Sequence, residues 1–158
     1  MIYFDKVTKL YRDGAPALEE VTLSIAPKEF VSVVGHSGAG KTTLFKMLLA
    51  EEKPTSGNIF FESVDIHDLP KNALHHYRRK LGTVFQDFRL IPNKTAYENI
   101  AFAMEAVGRS DEEIASDVPY ILDLVDIADK ANHFPSQLSG GEQQRVAIGR
   151  AIINQPDV

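Results

Sequence analysis

Gly35-His36-Ser37-Gly38-Ala39-Gly40-Lys41-Thr42-Thr43 is the stretch on which the reading of this chain turns. It has the form G-x-x-x-x-G-K-[ST], the pattern of a phosphate-binding loop. Immediately before it, Phe30-Val31-Ser32-Val33-Val34 is an apolar run that predicts a buried strand. Immediately after it, Leu44, Met47 and Leu48 recur at helical spacing, which predicts a helix opening at the loop's end. Glycines let a backbone curl around an anion with several N–H groups pointing inward, and a helix N-terminus adds partial positive charge. Lys41 is placed to reach the β- and γ-phosphates of a nucleotide, and the Thr42 hydroxyl to ligate Mg²⁺. A glycine-rich turn that binds nothing is the alternative. The strand-like run before, the helical spacing after and the Lys-Thr pair weigh against it.

Working outward, a chain of 158 residues suits one domain with a core of its own. A hydrophobic content of 44% and a charged content of 25% are ordinary globular values. The net charge of −5 lends no support to a nucleic-acid partner, and none is expected. There is no cysteine, so disulfides and thiolate metal sites are excluded. No apolar run approaches the roughly 18 residues needed to span a bilayer. The expectation is a cytoplasmic protein that meets the inner face of the cell membrane only through a partner.

Residues 1–34 read as short strands: Ile2 and Phe4 alternate with polar positions, as do Val21, Leu23 and Ile25. Arg12-Asp13-Gly14-Ala15-Pro16 reads as the turn between them. Asn58-Ile59-Phe60-Phe61 is a further strand, residues 71–80 are helical, and Gly82-Thr83-Val84-Phe85-Gln86 is a short strand. The basic run Arg78-Arg79-Lys80 reads either as a nucleic-acid contact or as a solvated helix end complementing its own dipole. Thr95…Glu98, Ser110…Glu113 and Ser139…Glu142 each have the spacing of a capping box. Ile114, Val118, Ile121, Leu122 and Val125 share one helical face, within which Pro119 should kink or restart the helix. Asn154-Gln155-Pro156 ends the final helix.

A second motif narrows the chemistry. Leu138-Ser139-Gly140-Gly141-Glu142-Gln143-Gln144-Arg145 again places a hydroxyl and two glycine amides at a helix start, an anion site of the same physical kind. Alone it could be only a capped helix. About a hundred residues after a phosphate loop, it resembles the LSGGQ signature of the ABC-type ATPases, with Glu142 where Gln is common. That resemblance covers nearly the whole chain. It implies that Tyr11, otherwise an ordinary strand-end tyrosine, stacks on adenine. It implies that Gln86 contacts Mg²⁺ and the attacking water.

The family resemblance implies an α/β fold, the P-loop nucleotide-binding domain, with an antiparallel β lobe and a helical lobe. Residues 1–87 would form the β lobe and P-loop core, 88–141 the helical lobe, and 142–158 a helix returning to the core. ATP and Mg²⁺ would be the cofactors. Gly35, His36, Ser37, Gly38, Ala39, Gly40, Lys41, Thr42 and Thr43 would hold the phosphates, with Lys41 and Gln86 the catalytic side chains present. Thr42 and Gln86 would hold the metal. Ser139, Gly140, Gly141 and Glu142 would reach the ATP of a second copy in a head-to-tail homodimer.

Within the family, Phe85-Gln86-Asp87-Phe88-Arg89-Leu90 and Phe134-Pro135-Ser136-Gln137-Leu138 resemble the bacterial cell-division branch. The lipoprotein-release and macrolide-export ATPases are nearly as similar. The cell-division branch implies an integral membrane partner of the FtsX type docking near residues 86–97. There Phe88, Leu90, Ile91 and Tyr97 offer an apolar surface, or else pack inside the helical lobe. Two further classes remain open: a nucleotide-binding fragment without hydrolysis, and a soluble family member acting on nucleic acid or ribosomes. The family's metal-binding aspartate, its general base and its switch histidine have no counterpart here. The sequence therefore reads as a C-terminally truncated ATPase that alone neither hydrolyses ATP nor folds stably.

Overall fold

The computed structural model describes residues 1–11 and 14–158, and these form two compact units, Met1–Arg78 and Arg79–Val158. Arg12 and Asp13 of the expected turn lie outside the described residues.

The first unit is built on an antiparallel sheet. Strands β1 (Ile2–Leu10), β2 (Pro16–Ile25), β3 (Ser56–Phe61) and β4 (Val64–Asp65) lie in the order β2-β1-β3-β4. Ile2 pairs with Ile25 on one side and Phe61 on the other. Ile2 and Phe4 point to the core, as their alternation predicts, but the next buried position on β1 is Val7. The phase slips because the ladder shifts register between Phe4 and Val7, where Lys6 takes a φ of 46°. Helix α1 (Lys41–Leu48) buries Leu44 and Met47, and the same core holds Ile59, Phe61 and Ile66. Helix α2 (Leu74–Arg79) adds Tyr77, whose ring meets Phe61 edge-on at 5.6 Å.

The second unit is helical. Helices α3 (Ala96–Glu105), α4 (Asp111–Leu124) and α5 (Gly140–Ile152) enclose Ala96, Ile100, Met104, Val118, Leu122 and Val146. Gly149 lets α5 approach closely: a Cβ there would lie 2.8 Å from Ile100 Cδ1 and 3.1 Å from Ile121 Cγ2. All three expected capping boxes form, with Thr95, Ser110 and Ser139 accepting from the amides of Glu98, Glu113 and Glu142.

Four local expectations are corrected. The 30–34 run is not a strand and is not buried: Phe30 is 95% exposed and Val34 84%. Residues 82–86 are not a strand either. A strand exists only through a paired neighbour, and no described segment forms a ladder with either run. Residues 80–82 do exchange backbone bonds with the end of the chain, Gly82 donating to Val158 and both Asp157 and Val158 to Lys80. The helix at 71–80 is shorter, and its basic end, exposed as expected, also bonds beyond its own helix. Arg78 donates to the carbonyls of Leu49 and Ala50, closing α1, and Arg79 donates to Ala106, closing α3. Finally, α4 continues through Pro119 rather than restarting there. Ala115, whose carbonyl loses its helical donor, lies on the exposed side, where water can replace it.

Candidate functional site

The phosphate-binding pattern sits in the first unit, directly before α1. Residues 37–40 form a turn, with Ala39 donating to His36 O, and Gly38 and Gly40 take φ of 83° and 82°. Gly40 is the N-cap of α1 and accepts from Leu44 N. It also lies against β2: a Cβ at Gly40 would come within 2.3 Å of Ala17 O. Two separate constraints therefore demand glycine there, the left-handed backbone and the approach to the strand.

Lys41 folds back over this turn. Its ammonium donates to Gly35 O at 2.7 Å and His36 O at 2.8 Å, which fixes the cation at the loop rather than out in solvent. A cation, a helix N-terminus and a glycine turn together favour an anion. Thr42 is exposed at the helix start, whereas Thr43 is buried.

Tyr11 reaches the same region. Its hydroxyl donates to Glu52 Oε2 at 2.8 Å and lies 3.3 Å from Thr43 Oγ1. The ring remains 42% exposed, with Lys9 Nζ 5.4 Å from its centroid. Glu52 also pairs with Lys9 and Lys46. Partial burial pushes its carboxyl up, but the hydrogen bonds from Tyr11, Lys46 and Lys9 outweigh that and hold it below the usual range. The phosphate loop and Tyr11 are thus brought together within one unit.

Gln86 and the Ser139-Gly140-Gly141-Glu142 stretch belong to the second unit. Gln86 is exposed in a turn. At the start of α5, Ser139 Oγ accepts from Glu142 N at 3.3 Å, and Glu142 Oε2 accepts from Ser139 N at 2.7 Å. That backbone bond chiefly holds the Glu142 carboxyl below its ordinary value. Gly140 and Gly141 are exposed, and a Cβ at either would meet nothing within 4 Å. The chain's own packing gives no reason for these glycines, whereas close approach of an external group does. In the first unit the Thr42 hydroxyl, and in the second the Gln86 amide, each offer an oxygen of the kind that suits a hard cation such as Mg²⁺.

The family pattern described as ABC transporter matches residues 18–158. The chain belongs to the ABC transporter family. It is an ABC-type ATPase by that membership. It is 49% identical over 158 residues to the cell division ATP-binding protein FtsE of Bacillus subtilis, covering all of this chain and 69% of that protein. The FtsE of Mycobacterium tuberculosis is 46% identical over 99% of this chain and 68% of its own length. The FtsE of Escherichia coli is 44% identical over the whole chain and 71% of its own length. A dimeric, post-hydrolysis structure of the ATP-binding cassette MJ0796, bound to ADP and Pi, superposes with a TM-score of 0.91 at 40% identity, covering 99% of this chain and 71% of that one. The expected fold class, the ABC nucleotide-binding domain, is therefore the fold of this chain.

Three residues near these ABC motifs escape sequence reasoning. Glu52 anchors Tyr11, and Arg150 reaches the turn after Gln86, through contacts 41 and more than 60 positions apart. Asn99 did leave a signal: a polar residue between Ala96 and Ile100 on the buried face of α3. It is fully buried, accepts from Ile91 N and donates to the carbonyls of Ile91, Lys94 and Thr95. Leu90 and Tyr97 pack against the core of the second unit, while Phe88 and Ile91 are half-buried. Among the described residues no helix is long and apolar enough to cross a membrane.

Proposed function

We propose that this chain is the ATP-binding subunit of a membrane complex of bacterial cell division, in which ATP binding and hydrolysis drive an integral membrane partner of the FtsX type. The observation that carries the reading is a pair of helix starts, at α1 and α5. Each is lined by exposed glycines whose side-chain space the chain leaves open at Gly38, Gly140 and Gly141. Two anion cradles on one chain match a nucleotide held between two copies. The FtsE names of the relatives and the dimeric, ADP-bound cassette support the cell-division and dimer parts.

In this reading the amides of Gly35, His36, Ser37, Gly38, Ala39, Gly40 and Thr43 surround the phosphates, and Lys41 turns from the loop carbonyls to the anion. Tyr11 offers its ring face to adenine, held at its hydroxyl by Glu52. Thr42 and Gln86 hold Mg²⁺, which when bound neutralises charge developing on the phosphates. Ser139, Gly140, Gly141 and Glu142 face the nucleotide of a second copy, head to tail. The segment 86–97 docks the partner and places the complex on the inner face of the membrane.

The test is titration with a fluorescent ATP analogue, with and without Mg²⁺. Lys41→Ala should weaken binding at least about tenfold, the scale of one charge-assisted hydrogen bond. Unchanged affinity would refute the site. Because the chain has no cysteine, pairs introduced at 89 or 94 and in the partner's cytoplasmic helix give a clean crosslinking test of docking. Crosslinks forming only elsewhere would reject that surface.

A further inference from the structure

The turn that follows Gln86 is an unfavourable piece of backbone. Phe88 and Arg89, neither of them glycine, take consecutive positive φ values of 55° and 47°. L residues resist that region, so something must hold them there. Local contacts supply part of the restraint: Phe88 N donates to Phe85 O, and the Arg89 guanidinium lies 3.9 Å from the centroid of the Phe85 ring. The rest comes from α5. Arg150 Nη1 donates to Arg89 O at 2.7 Å and Nη2 to Phe88 O at 2.6 Å, a two-pronged grip on successive carbonyls of the strained pair.

The placement of Arg150 on its helix gives the grip a purpose. It lies ten residues beyond Gly140, which is about 15 Å along the axis at the rise of an α-helix. One end of α5 carries the open glycine start, and the other holds the turn next to Gln86. Gly149, beside Arg150, seats α5 against Ile100 of α3 and Ile121 of α4, so the helix moves with the unit's core. On the far side of the turn, buried Asn99 fixes Ile91, Lys94 and Thr95. The segment between Gln86 and α3 is therefore held at two points by side chains from two helices.

We infer that Arg150 is a positioning residue for Gln86, fixing it through the carbonyls of Phe88 and Arg89 and so tying it rigidly to the helix that begins at Ser139. The inference deepens the proposed function and rests on Gln86 being the Mg²⁺ contact. Both Arg150 Nη atoms are committed to carbonyls of the turn, and the residue acts through that turn.

The experiment uses Arg150→Met, Arg150→Lys, Gln86→Ala and the double variant Gln86→Ala/Arg150→Met of the full chain. Amide hydrogen exchange is read first. In Arg150→Met, residues 85–90 should exchange at least about tenfold faster, the fold-change of one lost charge-assisted hydrogen bond, with α3 and α5 unchanged. Arg150→Lys, which retains the charge but not the fork, should fall between that variant and the parent. Mg²⁺ is then titrated against protein saturated with a non-hydrolysable ATP analogue. Gln86→Ala and Arg150→Met should each weaken apparent Mg²⁺ affinity about tenfold, the scale seen when a group supporting a metal contact is removed. The double variant should be no weaker than Gln86→Ala alone.

Unchanged exchange at 85–90 in both Arg150 variants overturns the inference. A uniform rise across α3, α4 and α5 in both also overturns it, because the role is then one of general stability. Additive losses in the double variant overturn it as well. If Gln86→Ala leaves Mg²⁺ affinity unchanged while Arg150→Met still loosens 85–90 selectively, the clamp stands and the assignment of Gln86 to the metal fails.

Discussion

Replacing Gly40 by alanine, with Gly38→Ala as its control, separates two demands that the phosphate loop makes on its glycines. Both residues have nearly the same left-handed backbone, φ 82° and 83°. Placing a Cβ in that region costs about 1–2 kcal/mol for an L residue. At Gly38 that is the whole penalty, because a Cβ there meets nothing within 4 Å. At Gly40 the Cβ would lie 2.3 Å from Ala17 O and 2.8 Å from Leu18 Cδ2, and the oxygen is backbone that cannot swing aside. Either β2 or the turn must shift, with the roughly 1–3 kcal/mol typical of an overpacked site added. Gly38→Ala should therefore lower stability by about 1–2 kcal/mol and Gly40→Ala by about 2–5, a large part of the roughly 5–15 kcal/mol of a whole domain. Urea unfolding followed by far-ultraviolet circular dichroism measures both. A shift of the turn also moves Lys41, the next residue, so the ATP-analogue affinity of Gly40→Ala should fall further than that of Gly38→Ala. If the two variants agree within about 0.5 kcal/mol, the ordinary spread of innocuous substitutions, the contact with β2 does not constrain the loop and the reasoning fails.

Asn99→Ala strips partners from Ile91 N and Lys94 O, whereas Ile91 O and Thr95 O keep Lys94 N and Asn99 N. Two half-buried groups left without these partners should cost about 1–3 kcal/mol in the same urea assay, and a loss under about 0.5 kcal/mol would disprove the loop's dependence on it. Tyr11→Ala should weaken ATP-analogue binding by about 1–3 kcal/mol, the scale of one base–aromatic stack. Tyr11→Phe, which keeps the ring and loses the bonds to Glu52 and Thr43, should weaken it less, and the reverse order would count against stacking. The helix caps give an acid dependence. Glu98, Glu113 and Glu142 are each held below their ordinary value of 4.5, first by the backbone N–H of Thr95, Ser110 and Ser139. A folded value below the unfolded one means that the carboxylate stabilises the fold above the unfolded value and loses that effect as pH falls through the folded one. Stability should thus decline below about pH 4.5, and Glu142→Gln should flatten that decline; an identical acid limb would refute the cap's share. The exposed Phe30 and Val34 should promote self-association, which sedimentation velocity would detect and Phe30→Ser/Val34→Thr should reduce.

What the chain discloses from its letters alone follows the range of the forces involved. The start of α1 at Lys41 and the three capping boxes are decided by residues within four positions of one another, and each forms where its spacing says. The apolar face of α4 is also local, set by helical period alone, and Ile114, Val118, Ile121 and Leu122 are buried as that period requires. The runs at 30–34 and 82–86 carry the same strand-like composition as β1 and β3. They differ in having no described ladder neighbour, a condition that no local pattern contains. Arg78 and Arg79 look like a charged helix end because sequence shows only the charges. Their partners, the final carbonyls of α1 and α3, lie 27 to 29 positions away.

The same distinction divides the candidate site. The groups that would touch nucleotide lie in short motifs, because enclosing a phosphate takes adjacent amides and glycines. The groups that hold those motifs in place are scattered: Glu52 behind Tyr11, Asn99 under the loop before α3, and Arg150 behind the turn after Gln86. Each is a polar side chain committed to a distant oxygen or amide, and in the sequence only Asn99 interrupts an apolar pattern conspicuously. Arg150 follows Gly149 in a helix whose exposed face carries other polar residues, so nothing in its neighbourhood separates a solvated arginine from one gripping two strained carbonyls. The distinction appears only when the positive φ values of Phe88 and Arg89 are set beside the two bonds that restrain them. Local sequence therefore specifies the candidate ligand-facing atoms, whereas long-range polar contacts specify how firmly those atoms are held.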